Sequence, residues 1–112
     1  MYYTYMLRCL DGSIYTGITT DPRRRLNEHK EGGQKAARYT RTHGAEEVLA
    51  LWESAGRSDA GRLEYLIKTL TKPQKERLAA DGDLKVFEGR LERSRYRFVG
   101  KAAAEIDDKN VV

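Results

Sequence analysis

"YTYMLRCLDGSIYTG", residues 3 to 17, decides how the chain begins to fold. Tyr, Thr, Ile and Leu on either side of Asp11-Gly12 suit a half-buried pleated surface, so residues 2 to 9 and 13 to 19 read as the two strands of a β-hairpin. This hairpin carries two phenols ten positions apart, Tyr5 and Tyr15. How they relate depends on register, because a slip of one residue moves every side chain to the other face. A two-residue loop at Asp11-Gly12 pairs Leu10 with Ser13 and separates the tyrosines onto opposite faces. A three-residue loop, Leu10-Asp11-Gly12, with Gly12 left-handed, pairs Cys9 with Ser13. Tyr5 then lies opposite Gly17, and Tyr15 sits on the diagonal of the same face. Both registers remain open at this point, although Gly12 suits the left-handed position.

Downstream, "TDPRRRLNEHKEGG" opens with Asp21 as an N-cap and Pro22 at the first helical position, and Gly32-Gly33 closes it, which predicts a helix over 22–31. Arg25 and His29 are spaced i, i+4 and project from one face beside Leu26. Residues 34 to 45 lack a helix or strand period and read as a long basic loop. "EVLALWES", 47 to 54, is apolar enough for a third, central strand, with Trp52 as a core or edge anchor. Beyond it, Leu63, Leu66, Ile67 and Leu70 form the stripe of an amphipathic helix capped by Ser58, with Glu64 beside the stripe. Thr71-Lys72-Pro73-Gln74 resembles a capping box that opens a further helix, closed by Asp81-Gly82. Residues 83 to 112 read as a C-terminal extension, partly ordered at most, with Phe87, Tyr96 and Phe98 as anchors for a helix or strand and a frayed end at "KAAAEIDDKNVV".

A chain of 112 residues suits one compact domain, here placed over residues 1–82 with the extension behind it. No stretch approaches the roughly 18 to 20 consecutive apolar residues that cross a bilayer, and the first residues lack the features of a signal peptide. A cytoplasmic location is expected. The single cysteine, Cys9, has no second thiol for a disulfide or zinc cluster and reads as a small core residue. The overall charge of +4 is mild, but from Arg23 to Arg41 seven basic residues stand against Glu28 and Glu31, a local balance of +5. Such a segment attracts a polyanion and releases its counterions on binding.

These pieces resemble the GIY-YIG nuclease domain family. Tyr3-Thr4-Tyr5 stands where the first triplet would be and Tyr15-Thr16-Gly17 stands at the second; Arg25, His29 and Glu64 follow in order on the expected helices. "YTGITTDPRRRLNEH", "RYTR" and "EYLIKTLTKPQKERL" look like the small stand-alone bacterial members. The resemblance covers roughly residues 2 to 80 and implies an α+β fold, a small three-stranded antiparallel sheet flanked by helices. Departures are present: Thr4 and Thr16 replace isoleucines, and Tyr3 replaces a glycine. Glu76 stands where many members carry asparagine, and Ile18-Thr19 where some carry lysine.

The resemblance implies a metal-dependent endonuclease. Glu64 would hold one Mg²⁺ or Mn²⁺ ion through a hard oxygen ligand, and Arg25 would stabilise charge on phosphoryl oxygens. Tyr5 and Tyr15 would lie on the side of the attacking water, with His29 relaying a proton or holding a tyrosine in place. A free phenol titrates near ~10, so its neighbours are expected to lower that value in a tyrosine acting as base. Arg24, Lys35, Arg38, Tyr39, Thr40 and Arg41 would hold the nucleic-acid backbone, with Tyr39 stacking on a base. DNA, including branched and single-stranded forms, is the expected partner; backbone contacts alone do not set RNA apart. No base-reading element is evident, so little sequence specificity is expected, and targeting would fall to a protein partner. The alternative is a nucleic-acid-binding adaptor on the same scaffold with negligible turnover.

Overall fold

The computed structural model of the protein describes residues 1–100. Its hairpin joins β1 (Tyr2–Cys9) to β2 (Ile14–Thr19) through the three-residue loop. The Gly12 N–H donates to the Cys9 carbonyl at 2.9 Å and the Cys9 N–H to the Ser13 carbonyl at 2.8 Å, with Gly12 at φ 87°. Tyr5 therefore pairs with Gly17 and Leu7 with Tyr15, which puts both phenols on one face. Cys9 is wholly buried, as its composition suggests.

Next in the chain come α1 (Pro22–Glu31), α2 (Arg38–His43), β3 (Ala45–Ser54), α3 (Arg57–Lys68), α4 (Lys72–Asp81) and β4 (Tyr96–Phe98). The antiparallel sheet has the order β2-β1-β3-β4, four strands where three were expected. The extra strand forms because Trp52 pairs with Phe98 and Ser54 with Tyr96, while the Tyr96 hydroxyl donates to the Asp59 carbonyl at 2.8 Å. A short apolar-polar run such as "YRF" acquires strand geometry from the edge it meets rather than from its own propensity. Residues 96–98, expected as either helix or strand, are a strand by virtue of that pairing. The expected frayed segment 101–112 lies outside the described residues.

Each face of the sheet has its own core. Met6, Ala50 and Trp52 pack with Leu63, Leu66 and Ile67 of α3, Leu78 of α4, and Leu84 and Phe87. On the opposite face Tyr5, Leu7, Val48 and Leu51 pack with Leu26 of α1. A bulge makes this possible: Met6 pairs with Ala50 but Leu7 with Val48, so Leu49 is the extra residue and the alternation of β3 shifts by one. Val48 and Leu51, three apart, then share the α1 face.

Helix ends follow the sequence with one exception. Asp21 accepts from the Arg24 N–H at 3.1 Å, and Gly32 closes α1 in the left-handed conformation. Thr71 and Gln74 complete a reciprocal capping box on α4. Ser58, expected to cap α3, lies inside the helix; Gly56 is the N-cap, and Asp59 supplies the favourable charge in the first turn. The segment expected as a loop contains α2, a six-residue helix whose period is masked by its threonines and arginines. No helix among the described residues is long and apolar enough to cross a membrane.

Candidate active site

Tyr5 projects from β1 towards α1, and its ring lies over Gly17. A Cβ at Gly17 would sit 2.5 Å from Tyr5 Oη, 2.7 Å from Cζ and 3.1 Å from Tyr15 Cε2. The close approach of two phenol rings to the backbone is what requires glycine here. The Tyr5 and Tyr15 centroids are 6.2 Å apart, and each ring lies near the imidazole of His29, at 5.7 and 5.4 Å respectively. Tyr5 Oη is 2.9 Å from His29 Nε2, and His29 Nδ1 is 2.6 Å from Thr40 Oγ1. Both ring nitrogens of a histidine with 1% exposure are thus satisfied by protein groups.

Burial sets the electrostatics. It lowers the His29 pKa to about 4, and the like charge of Arg25 acts in the same direction. The imidazole is therefore neutral at pH 7 and able to accept a proton. Burial also pushes the Tyr5 phenol well above its ordinary value, aided by Tyr15 and by the negative charge of Glu64, with Arg25 opposing. The expected lowering of a phenol pKa is thus reversed at Tyr5, because desolvation outweighs the guanidinium.

Arg25 lies beside the Tyr5 hydroxyl, where it acts as both a donor and a positive charge. Its Nη1 also donates to Glu28 Oε1 at 2.9 Å and to the Lys35 carbonyl at 2.5 Å. The second contact fastens the chain beyond α1 to the site. Glu64 reaches the same neighbourhood from α3: its charge acts on Tyr5, and its half-buried carboxylate accepts from Lys68 Nζ at 3.3 Å. Among the described residues no group of three or more His, Cys, Asp or Glu side chains could enclose a metal. A lone, partly exposed carboxylate still fits Mg²⁺ or Mn²⁺, since such ions keep several waters and take substrate phosphate oxygens as further ligands.

The structure thus gathers Tyr5, Tyr15, Arg25 and His29 in one cluster and puts Glu64 within electrostatic reach of it. The expected backbone-holding residues divide. Arg24, Lys35, Arg38 and Arg41 are exposed, and Arg24 and Lys35 line a shallow groove on the outer side of α1 with Arg23, Asn27 and Glu28. Thr40 lies beneath the surface at 1% exposure, so its hydroxyl meets His29 rather than a ligand strand. Tyr39, expected to stack on a base, already stacks on His43 at 4.1 Å and lies 5.7 Å from Tyr15. His43 Nδ1 in turn pairs with the Asp11 carboxylate in the hairpin turn. Asp11, His43 and the supporting role of Thr40 had no signal in sequence beyond the i, i+4 spacing of Tyr39 and His43, which counts only once 38–43 is known to be helical. Glu76, at the position where asparagine was expected, is engaged by Arg8 through two contacts of 2.6 and 3.1 Å and so ties α4 to β1.

Comparison with known proteins shows the family to which the chain belongs. The model of the GIY-YIG catalytic domain matches residues 1–77. The UPF0213 protein BH0048 of Halalkalibacterium halodurans is 43% identical over 79 residues, covering 70% of this chain and 82% of that protein. The UPF0213 protein YhbQ of Escherichia coli O8 is 49% identical over 82 residues, covering 72% of this chain and 79% of that one. The solution NMR structure of BH0048 from Bacillus halodurans superposes with a TM-score of 0.47 at 39% identity, over 82% of this chain and 98% of that chain. With the matched segment running from the first strand of the hairpin into α4, the chain belongs to the GIY-YIG family, a family of nucleases, and its relatives are small bacterial UPF0213 proteins.

Proposed function

We propose that the protein is an endonuclease that hydrolyses phosphodiester bonds in DNA with little sequence specificity and requires one divalent cation held by Glu64. The observation that carries this reading is the Tyr5 hydroxyl, 2.9 Å from the neutral His29 and flanked by Arg25, with the Glu64 charge acting on the same oxygen. Binding alone would not call for a carboxylate there, since Glu64 repels phosphate unless a cation intervenes.

In this reading Tyr5 works as a relay rather than as a ready-made phenolate. Water gives a proton to Tyr5 Oη while Tyr5 passes its own proton to His29 Nε2, and the resulting hydroxide forms the new P–O bond as the bond to the 3′ oxygen breaks. The departing oxygen takes its proton from solvent. Tyr15 orients the water from the same sheet face, and Arg25 exchanges Glu28 for phosphoryl oxygens, where its planar fork matches the charge that develops. A divalent cation at Glu64 supplies the counter-charge that makes the phosphate approachable. Arg24, Lys35, Arg38 and Arg41 hold the strand on either side.

The test is incubation of duplex, nicked, branched and single-stranded DNA, and of RNA, with Mg²⁺ or Mn²⁺. Cleavage is expected to need the cation and to fall roughly 100-fold or more in Tyr5→Phe, Arg25→Ala and Glu64→Gln. Cleavage that survives all three substitutions belongs to a contaminant. Salt-sensitive binding with no turnover replaces the enzyme with a binding adaptor.

A further inference from the structure

The geometry points to Thr40 as the positioning residue that fixes which nitrogen of His29 is free to accept a proton. This inference deepens the nuclease reading and rests on it for its kinetic consequence, but the arrangement itself stands on the hydrogen bonds. Thr40 Oγ1 lies 3.0 Å from the Ala37 carbonyl, which can only accept. A hydroxyl has one proton, so the bond to Ala37 leaves Oγ1 as an acceptor towards His29 Nδ1, 2.6 Å away. Nδ1 therefore carries the imidazole proton and Nε2 keeps its lone pair. Across the ring, Tyr5 O–H then donates to Nε2 at 2.9 Å.

The opposite polarity fails at the Tyr5 end. If Nε2 carried the proton, Tyr5 Oη would receive both that N–H and the guanidinium of Arg25, and its own proton would need another acceptor in a pocket where the residue is 5% exposed. A doubly protonated ring would leave the Tyr5 proton stranded in the same way, and burial and Arg25 keep His29 neutral. Both ends of the network thus enforce one direction, running from Tyr5 through His29 and Thr40 to a backbone carbonyl.

The sense of that direction is functional. A proton relay through Tyr5 needs an unprotonated Nε2, and Thr40 supplies it without touching substrate. Thr40 can do so only while α2 is seated. The seat is made by Asp11 pairing with His43 and by Tyr39 stacked between α2 and the hairpin. The segment that closes over His29 is thereby also the segment that sets its tautomer.

Long-range ¹H–¹⁵N correlation spectra of the full chain test this directly, with the two histidines told apart by a His43→Gln variant. The native chain is expected to show His29 protonated on Nδ1. In Thr40→Val, which keeps the shape but lacks the hydroxyl, the proton should move to Nε2 or exchange between the two nitrogens, and Thr40→Ser should restore the native pattern. On the kinetic side, Thr40→Val should lower kcat roughly tenfold with KM unchanged, and Thr40→Ser should recover it. An Nε2-protonated His29 in the native chain overturns the assignment, as does a tautomer unchanged in Thr40→Val. Should Thr40→Val not fold, the native tautomer alone decides. If the native chain cleaves no nucleic acid yet shows the Nδ1–H form with the expected response to substitution, the nuclease reading falls and the role of Thr40 in fixing the tautomer stands.

Discussion

At the scale of single residues, Gly17 and His29 show how closely stability and chemistry are tied here. Gly17 has no left-handed backbone to excuse it; space is the reason, since a methyl group would collide with the hydroxyl end of Tyr5. Gly17→Ala is therefore expected to destabilise the fold by about 1–3 kcal/mol as the ring is forced aside, and to break the Tyr5–His29 contact. Urea unfolding measures the first effect, and the His29 ring signals report the second. His29 also makes stability depend on pH. In the unfolded chain its imidazole takes a proton near 6.5, but in the fold only at about 4, so between these values the unfolded chain holds the extra proton. The contribution is complete above pH 6.5 and is lost as pH falls towards 4, a change of roughly 3 kcal/mol. Unfolding curves at pH 7 and pH 4.5 should show it, with the pH dependence markedly smaller in His29→Gln. An equal dependence in the variant would assign the effect to the carboxylates.

Among the elements, α2 is the one held most by its neighbours. Six residues cannot sustain a helix in isolation, and its N-cap, Ala37, offers no side-chain acceptor. It persists because Thr40 is buried against His29, Tyr39 stacks beside Tyr15, and His43 reaches Asp11 across the hairpin turn. Asp11→Asn should accordingly speed amide hydrogen exchange across 38–43 while leaving α3 unchanged, since the weakened contact with His43 is local and exposed. Uniform acceleration through the chain would show that the pair supports the whole fold instead. The contrast with α4 is instructive. There Thr71 and Gln74 satisfy the helix end from within the segment, so Thr71→Ala should cost about 1 kcal/mol without altering the site.

For the whole molecule, the exposed basic residues of one side stand against the carboxylate of Glu64. Arg24, Lys35, Arg38 and Arg41 lie exposed around the α1–α2 side, whereas Glu64 approaches Tyr5 from α3 on the other core. Affinity for DNA should fall with salt, and replacing any one of these basic residues that contacts a phosphate should reduce the slope of log K against log salt by about 0.7–0.9. Glu64→Gln should do the reverse without divalent cation: it removes a repulsion, so binding tightens even as cleavage is lost. Weaker cation-free binding in Glu64→Gln would place the carboxylate away from the nucleic acid.

What could be known from the order of residues was mostly what neighbours in sequence dictate. Asp21-Pro22 and Gly32 bound α1, Thr71 and Gln74 cap α4, and the Leu63 to Leu70 stripe marks the buried side of α3, because capping and periodicity act over one or two turns. The polar set from Tyr5 to Glu64 was likewise legible, as a resemblance, before any contact was known. The hairpin register hung between two loops until the ladder closed on Tyr5 and Gly17, since turn chemistry alone differs little between them. Other features belong to the tertiary structure outright. β4 exists because β3 presents an edge to "YRF", Val48 joins the α1 face because Leu49 bulges, and α2 is a helix because the hairpin and His29 hold it. The protonation of Tyr5 and His29 has the same origin: desolvation depends on what surrounds a group in space, and His29 lies 24 positions from Tyr5, and Thr40 11 positions from His29, along the chain.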